Sequence, residues 1–405
     1  MSGFSRRGGR LCAEETPLAE IAEQYGTPCY VYSQQAFLDA AARLRAAFSQ
    51  SRPKIFYAVK ANGNLSILRL LRDAGCCFDI VSGGEMARVF AAGGAARDIV
   101  FSGVGKSANE MRAALSAGIA CFNIESESEM ARLQSISAEM KIRAPLAVRT
   151  NPDIDGGTHP HLTTGARGGK FGVAPEEAIA LAKRAAAKPE LNFRGFACHI
   201  GSQIQTPAAY IAAAEKMAAL ATEAKAAGFP PHHIDMGGGF GVDYENSGGL
   251  ALDLAEYDRA LTRLFPDTEI WIEPGRAIAA AAGVLLTRVE YVKQSGDTFF
   301  WITDAGMNDI LRPALYGAKH KIETAEETSA PPKTGAVAGP VCESADILAR
   351  DCRLAAAAGD LLAVRDAGAY CAAMMSDYNA RPRPCEIMVS KTKTTLIRRR
   401  ETLEE

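Results

Sequence analysis

The 405-residue chain is short of several things, and each shortage removes a class of function. It has no excess of charge, since 45 lysines and arginines stand against 47 acidic residues. No global field therefore recruits a nucleic acid or a membrane surface. No window approaches the roughly 18 uninterrupted apolar residues of a membrane span. Residues 1–10 carry arginines with no apolar stretch behind them, so no secretory signal is expected and a cytoplasmic protein is. Ten cysteines are present, but none is spaced C-x-x-C and only Cys76 and Cys77 are adjacent, so reduced core thiols are expected rather than a disulfide framework. Metal-ligand spacing is equally scarce. His159 and His161, like His232 and His233, have no carboxylate or cysteine at an informative distance, and no metal is expected. The basic cluster Arg398-Arg399-Arg400, followed at once by glutamates, reads as a solvated strand end or tail.

What the chain does have is rhythm. After helical spacing at 17–25 and 34–48, around a short strand at 29–32, apolar runs alternate with helical patterns of about a dozen residues. The runs lie at 54–60, 77–81, 99–102, 120–124, 145–150, 193–199, 233–236 and 269–272. Alternation of this kind predicts right-handed βαβ units and a parallel sheet. Eight units with near-continuous apolar strands predict an α/β fold closed as a (β/α)8 TIM-type barrel. Beyond Gly275 the texture changes to strand-like runs at 284–293, 298–303, 333–341, 360–364 and 386–390, separated by turns. That predicts a second, mainly antiparallel β domain. The expected boundaries are a barrel over 36–275 and a β domain built from 1–35 and 276–405.

In such a barrel the active site lies at the C-terminal ends of the strands. The unusual residues fall there. Lys60 closes the first run, and an ammonium ending a buried strand is either snorkelling to water or acting as a Schiff-base nucleophile. Asp79 lies near the end of the second, followed by Ser82-Gly83-Gly84-Glu85; His199-Ile200-Gly201-Ser202 ends the sixth; Gly237-Gly238-Gly239 follows the seventh; Glu273-Pro274-Gly275-Arg276 ends the eighth. Glycine cups on two neighbouring strands leave backbone N–H groups bare for a phosphate. A phosphate cup together with a strand-one lysine predicts pyridoxal 5'-phosphate as cofactor. Glu273 is then placed to pair with the ring nitrogen, and His199 to stack on the ring. Taken singly, His199 also reads as a satisfied core histidine and Glu273 as a structural carboxylate.

Seven stretches carry a family resemblance: Tyr57-Ala58-Val59-Lys60-Ala61-Asn62, Phe78-Asp79-Ile80-Val81-Ser82-Gly83-Gly84-Glu85, His199-Ile200-Gly201-Ser202-Gln203, Gly237-Gly238-Gly239, Glu273-Pro274-Gly275-Arg276, Arg312-Pro313-Ala314-Leu315-Tyr316 and Gly339-Pro340-Val341-Cys342-Glu343-Ser344. Through them, over nearly its whole length, the chain resembles the diaminopimelate decarboxylases. These belong to the fold-type III pyridoxal-phosphate enzymes, with alanine racemase and ornithine decarboxylase. Phe240, where leucine is commoner, is a conservative departure. The resemblance implies that Lys60 carries the cofactor and His199 packs on its ring. It implies that Asp79, Ser202, Gly238, Gly239, Glu273, Gly275, Arg276 and Tyr370 complete the cofactor site. Arg276, Arg312 and Tyr316 are implied at the substrate's distal carboxylate, Glu343 at its distal amino group, Tyr370 beside both substrate and cofactor, and Cys342 as proton donor. The implied reaction releases carbon dioxide from the D-configured centre of meso-2,6-diaminopimelate and yields L-lysine, the last step of lysine biosynthesis. The family supplies the Cys342 loop from a partner subunit, so a homodimer with shared active sites is implied.

Three other functions fit the same residues less well. An ornithine- or arginine-type decarboxylase does not account for arginines at a distal carboxylate. A racemase would need a second base opposite Lys60. A catalytically silent regulatory or cofactor-carrying homologue has no use for Lys60, Glu273 and Cys342 together.

Overall fold

A computed structural model describes residues 3–154, 169–245 and 249–404; His159 and His161 lie outside them. The chain forms two compact units, one of Ala41–Gly241 with Leu250–Arg276, the other of Met1–Ala40, Val242–Gly249 and Ala277–Glu405.

The first unit is a closed barrel. Its strands are Lys54–Ala58, Cys77–Ile80, Ile99–Phe101, Cys121–Ile124, Ala144–Arg149, Leu191–Ala197, His233–Asp235 and Glu269–Ile272. Each pairs in parallel with the next, and the eighth closes onto the first. The strands are short and almost wholly buried because both faces are covered, by the barrel interior on one side and by helices on the other. An inner layer of Phe56, Cys77, Val100, Cys121, Ala147 and Trp271 fills the barrel. The first strand stops at Ala58, and Lys60 lies in the single 3-10 turn Val59–Ala61 that follows, so the lysine is presented by a turn rather than by the strand itself.

The motif Ser82-Gly83-Gly84-Glu85 has a local explanation. Ser82 Oγ accepts from the Glu85 N–H at 3.2 Å and caps the helix Gly83–Ala91, while Glu85 Oε2 accepts from the Val81 N–H at 2.7 Å. These bonds satisfy N–H groups that a helix start leaves without partners. Two buried ion pairs stiffen the rim: Lys106 Nζ to Glu129 at 2.7 Å and Arg149 Nη1 to Glu125 at 2.9 Å. Losing one partner of such a pair strands a buried charge, at a cost of about 3–5 kcal/mol.

The second unit is a mixed sheet. Cys29–Ser33 lies between Gly283–Ser295, antiparallel to it, and Cys385–Ser390, parallel to it. A second parallel pairing joins Thr298–Thr303 to Lys333–Ala338. The strands Ile347–Leu354 and Lys393–Arg398 extend the sheet although their apolar pattern is faint. In the first of them only Leu348 and Leu354 are buried, too few to reveal a period of two. Phe4–Arg7, Arg10–Ala13 and Thr16–Pro17 make a separate three-stranded sheet. Leu18, Ile21, Val31, Val284, Leu286 and Ile387 belong to one buried cluster, each such side chain contributing about 1.5–3 kcal/mol. All ten cysteines are free thiols, and eight are buried. Among the described residues no helix is long and apolar enough to cross a membrane, and no group of side chains could hold a metal ion.

Candidate active site

The C-terminal end of the barrel gathers an unusual set of charges. Lys60 Nζ donates to Asp79 Oδ2 at 2.6 Å, and the Asp79 side chain has no solvent exposure. Asp79 Oδ1 has no hydrogen-bond partner among the described residues. Asp235 and Glu273 are likewise buried. Asn123 Nδ2 bridges them, at 3.2 Å from Asp235 and 3.4 Å from Glu273, and Ser102 Oγ lies 3.3 Å from Glu273. Burial, with Asp235 and Asp79 nearby, holds the Glu273 carboxyl well above the usual carboxylate range. Burial also raises Asp235, which accepts from the Gly237 N–H at 2.9 Å. Like charges brought together by burial disfavour ionising both, which is why both carboxyls are pushed up.

His199 is half-buried, and its pKa lies well below that of a free imidazole because desolvation, then the charges of Arg149 and Lys60, disfavour its protonation. Its Nδ1 accepts the Gly238 N–H at 3.1 Å, which fixes a neutral ring between the exits of strands six and seven. The glycines are required by the backbone. A Cβ on Gly238 would lie 2.0 Å from the Glu273 carbonyl oxygen, and one on Gly239 would lie 2.0 Å from that of Gly201, at a φ of +88°. Bare backbone therefore lines this exit. Arg276, 5% exposed, donates to Ser202 Oγ at 3.0 Å, and Gly275 precedes the short helix Arg276–Ala279.

The sheet unit holds the remaining residues singled out in the sequence. Cys342 is exposed, and its N–H donates to Asn379 Oδ1 at 3.0 Å. Its loop is tied by Asp346, whose carboxylate accepts from Met307 at 2.6 Å and Val341 at 2.7 Å. Glu343 Oε1 accepts from the Tyr378 hydroxyl. Tyr370 has a φ of +57°, a conformation that costs a non-glycine residue about 1–3 kcal/mol and clusters at functional sites. Arg312 is buried at the start of the helix Arg312–Tyr316, with Tyr316 at its end, half-buried.

Several neighbours escaped the sequence reading. Asp235, Asn123 and Ser102 meet Glu273 only through barrel closure, although an acid two residues before a glycine run at a strand end was a usable signal for Asp235. Asp346, Tyr378 and His320 had none.

The barrel residues fit pyridoxal phosphate. A lysine is held by a buried acid, a buried carboxyl pair can meet a ring nitrogen, and glycine backbone lies open for a phosphate. Fold and site together define a pyridoxal-phosphate-dependent decarboxylase on a (β/α)8 barrel. The family of that description, "Pyridoxal-dependent decarboxylase, pyridoxal binding domain", matches residues 35–280. The chain is 46% identical to the diaminopimelate decarboxylase of Pseudomonas aeruginosa over 100% of its own length and 98% of that protein. It is 45% identical to that of Neisseria meningitidis over 98% and 97%. The crystal structure of diaminopimelate decarboxylase from Helicobacter pylori complexed with L-lysine superposes with a TM-score of 0.91 at 39% identity, over 96% of this chain and 97% of that one. The chain belongs to the diaminopimelate decarboxylase family of carboxy-lyases.

Proposed function

We propose that the chain decarboxylates meso-2,6-diaminopimelate at its D-configured centre, releasing L-lysine and carbon dioxide. The observation that carries this reading is Lys60, held at 2.6 Å by a fully buried aspartate in the same electrostatic neighbourhood as Glu273. Pyridoxal phosphate, bound through Lys60, supplies the electron sink for the charge left when the carboxylate departs. Asp79 would hold Lys60 Nζ in place at the barrel exit where the cofactor would bind. Glu273 would pair with the ring nitrogen, in a pocket where burial makes a charged contact strong. His199, already neutral, would pack on the ring without adding a competing cation. Gly238, Gly239, Gly275, Arg276 and Ser202 would hold the phosphate, with Tyr370 completing the cofactor set.

The substrate contacts are proposed on the same footing. Arg312 and Tyr316, together with Arg276, recognise the distal carboxylate, and Glu343 recognises the distal ammonium. Cys342 Sγ delivers the proton that replaces carbon dioxide. Its exposure on a loop supports a donor completed by assembly. We propose a cytoplasmic homodimer in which this loop serves the partner subunit's barrel.

The test is a substrate comparison. Purified protein with pyridoxal phosphate is incubated separately with meso-diaminopimelate, ornithine and arginine, and carbon dioxide and amine products are measured. L-lysine should form from the first, and the other two should release no carbon dioxide. No lysine from meso-diaminopimelate would sink the reading.

A further inference from the structure

Arg312 is an arginine in an unusual position. It is 4% exposed, and among the described residues no carboxylate lies within ion-pair distance of it. A buried guanidinium without a counter-charge is costly unless neutral acceptors hold it or a ligand brings the charge. Its close neighbours are neutral, a tyrosine, a histidine and the Cys371 thiol, and Asp366 acts on it only from beyond ion-pair distance. The Tyr244 ring lies 5.0 Å from the guanidinium carbon, and His320 Nε2 lies 2.8 Å from Nη1. His320 is itself 4% exposed, meets Tyr244 edge to face at 5.5 Å, and places its Nδ1 2.8 Å from the Arg365 carbonyl oxygen.

These contacts fix the histidine's tautomer. A carbonyl oxygen only accepts, so Nδ1 carries the proton. Nε2 of the neutral ring then has only a lone pair to offer, and the Arg312 Nη1–H points into it. A doubly protonated ring would set N–H against N–H. The result is a relay from a backbone carbonyl, through an imidazole, to one arm of a guanidinium whose plane is also supported by an aromatic ring. One arm is held by a neutral acceptor, and the carboxylate that acts on the guanidinium, Asp366, does so from beyond ion-pair distance.

We infer that His320 is a positioning residue for substrate recognition: through Nε2 it locks Arg312 so that the distal carboxylate of the substrate meets an oriented fork with no carboxylate in ion-pair contact. This rests on the reading of Arg312 as a distal-carboxylate contact. His320 touches no reacting atom, and its effect falls on ligands that carry that carboxylate.

Two competitive inhibitors separate this role from a general structural one. L-lysine keeps the distal carboxylate, whereas pentane-1,5-diamine lacks it. In the holoenzyme, His320→Ala should weaken inhibition by L-lysine about tenfold, the scale of a misaligned charge-assisted hydrogen bond. Inhibition by the diamine should change less than about twofold, and KM for meso-diaminopimelate should rise by more than kcat falls. His320→Gln, whose Oε1 can replace Nε2 as acceptor, should recover most of the L-lysine affinity. His320→Asn keeps a donor for the Arg365 carbonyl but is too short to reach Arg312, and should behave as the alanine variant does. Arg312→Lys serves as the reference and should lose the same selectivity. If Arg312→Lys shifts the ratio of the two inhibition constants while His320→Ala or His320→Asn leaves it at the wild-type value, the positioning role is overturned and the reading of Arg312 stands. If Arg312→Lys leaves the ratio unchanged, that reading fails and takes the positioning role with it.

Discussion

At the scale of single residues, the barrel contains an imidazole that its chemistry does not use. His233 is 1% exposed, stacked 3.6 Å from the Trp271 ring, and neither of its ring nitrogens has a hydrogen-bond partner among the described residues. Burial, followed by the charges of Arg194, His232 and Lys54, pushes its pKa down to about 3. The sign of the consequence follows from proton counts. Near pH 6.5 the unfolded chain begins to protonate this residue, whereas the folded chain does not. Stability is therefore fully present above that pH and drains away as pH falls toward 3, at up to about 1.4 kcal/mol per pH unit. His199 acts in the same direction. His233→Phe removes one of the two contributions, so urea unfolding free energies measured from pH 7 to pH 4.5 should fall less steeply than for the wild type. Parallel curves would show that His233 titrates normally.

At the scale of elements, the exit of strand seven is where sequence and backbone constrain each other most tightly. A side chain on Gly239 would run into a carbonyl of the neighbouring strand's exit and would also have to adopt positive φ. Backbone cannot yield as a flexible side chain can. Gly239→Ala should therefore spread the turn and weaken retention of pyridoxal phosphate by at least about tenfold, read as loss of cofactor absorbance on dilution or gel filtration. Gly105→Ala, with nothing within 4 Å of the added methyl group and no positive φ, should retain the cofactor as the wild type does. Equal retention by the two variants would mean that the glycine run is dispensable for the cup. The Cys342 loop is tied locally by Asp346, whose carboxylate accepts from the Val341 N–H beside Cys342, and is anchored to a distant segment through the Met307 N–H.

At the scale of the whole molecule, the proposal that each site draws Lys60 from one chain and Cys342 from another makes a complementation prediction. Lys60→Ala and Cys342→Ala homodimers should each be nearly inactive. Dissociated, mixed in equal amounts and reassociated, half the dimers would be mixed with one intact site each, restoring roughly a quarter of wild-type turnover. Activity that stays at the level of the separate variants would mean that each site is built from one chain.

The barrel was legible in the amino-acid sequence because buried parallel strands are short continuous apolar runs, and the eight expected runs fall within a residue or two of the observed ones. Lys60, Asp79, His199 and Glu273 stood out in the sequence because polar residues at apolar strand ends demand a reason. The sheet was only partly so: a lysine- and arginine-rich edge strand such as Lys393–Arg398 buries too little to show its period. Tertiary structure alone decided what those residues are next to. Barrel closure brings Asp235, Asn123 and Ser102 onto Glu273, and burial beside Asp235 pushes its carboxyl up. The fold of the sheet unit places His320 and Tyr244 around Arg312, so that a buried cation is held by neutral groups in direct contact. Periodicity records which side of an element is buried, whereas the strength of a charge depends on the dielectric and the neighbours around it, and those exist only once the chain has folded.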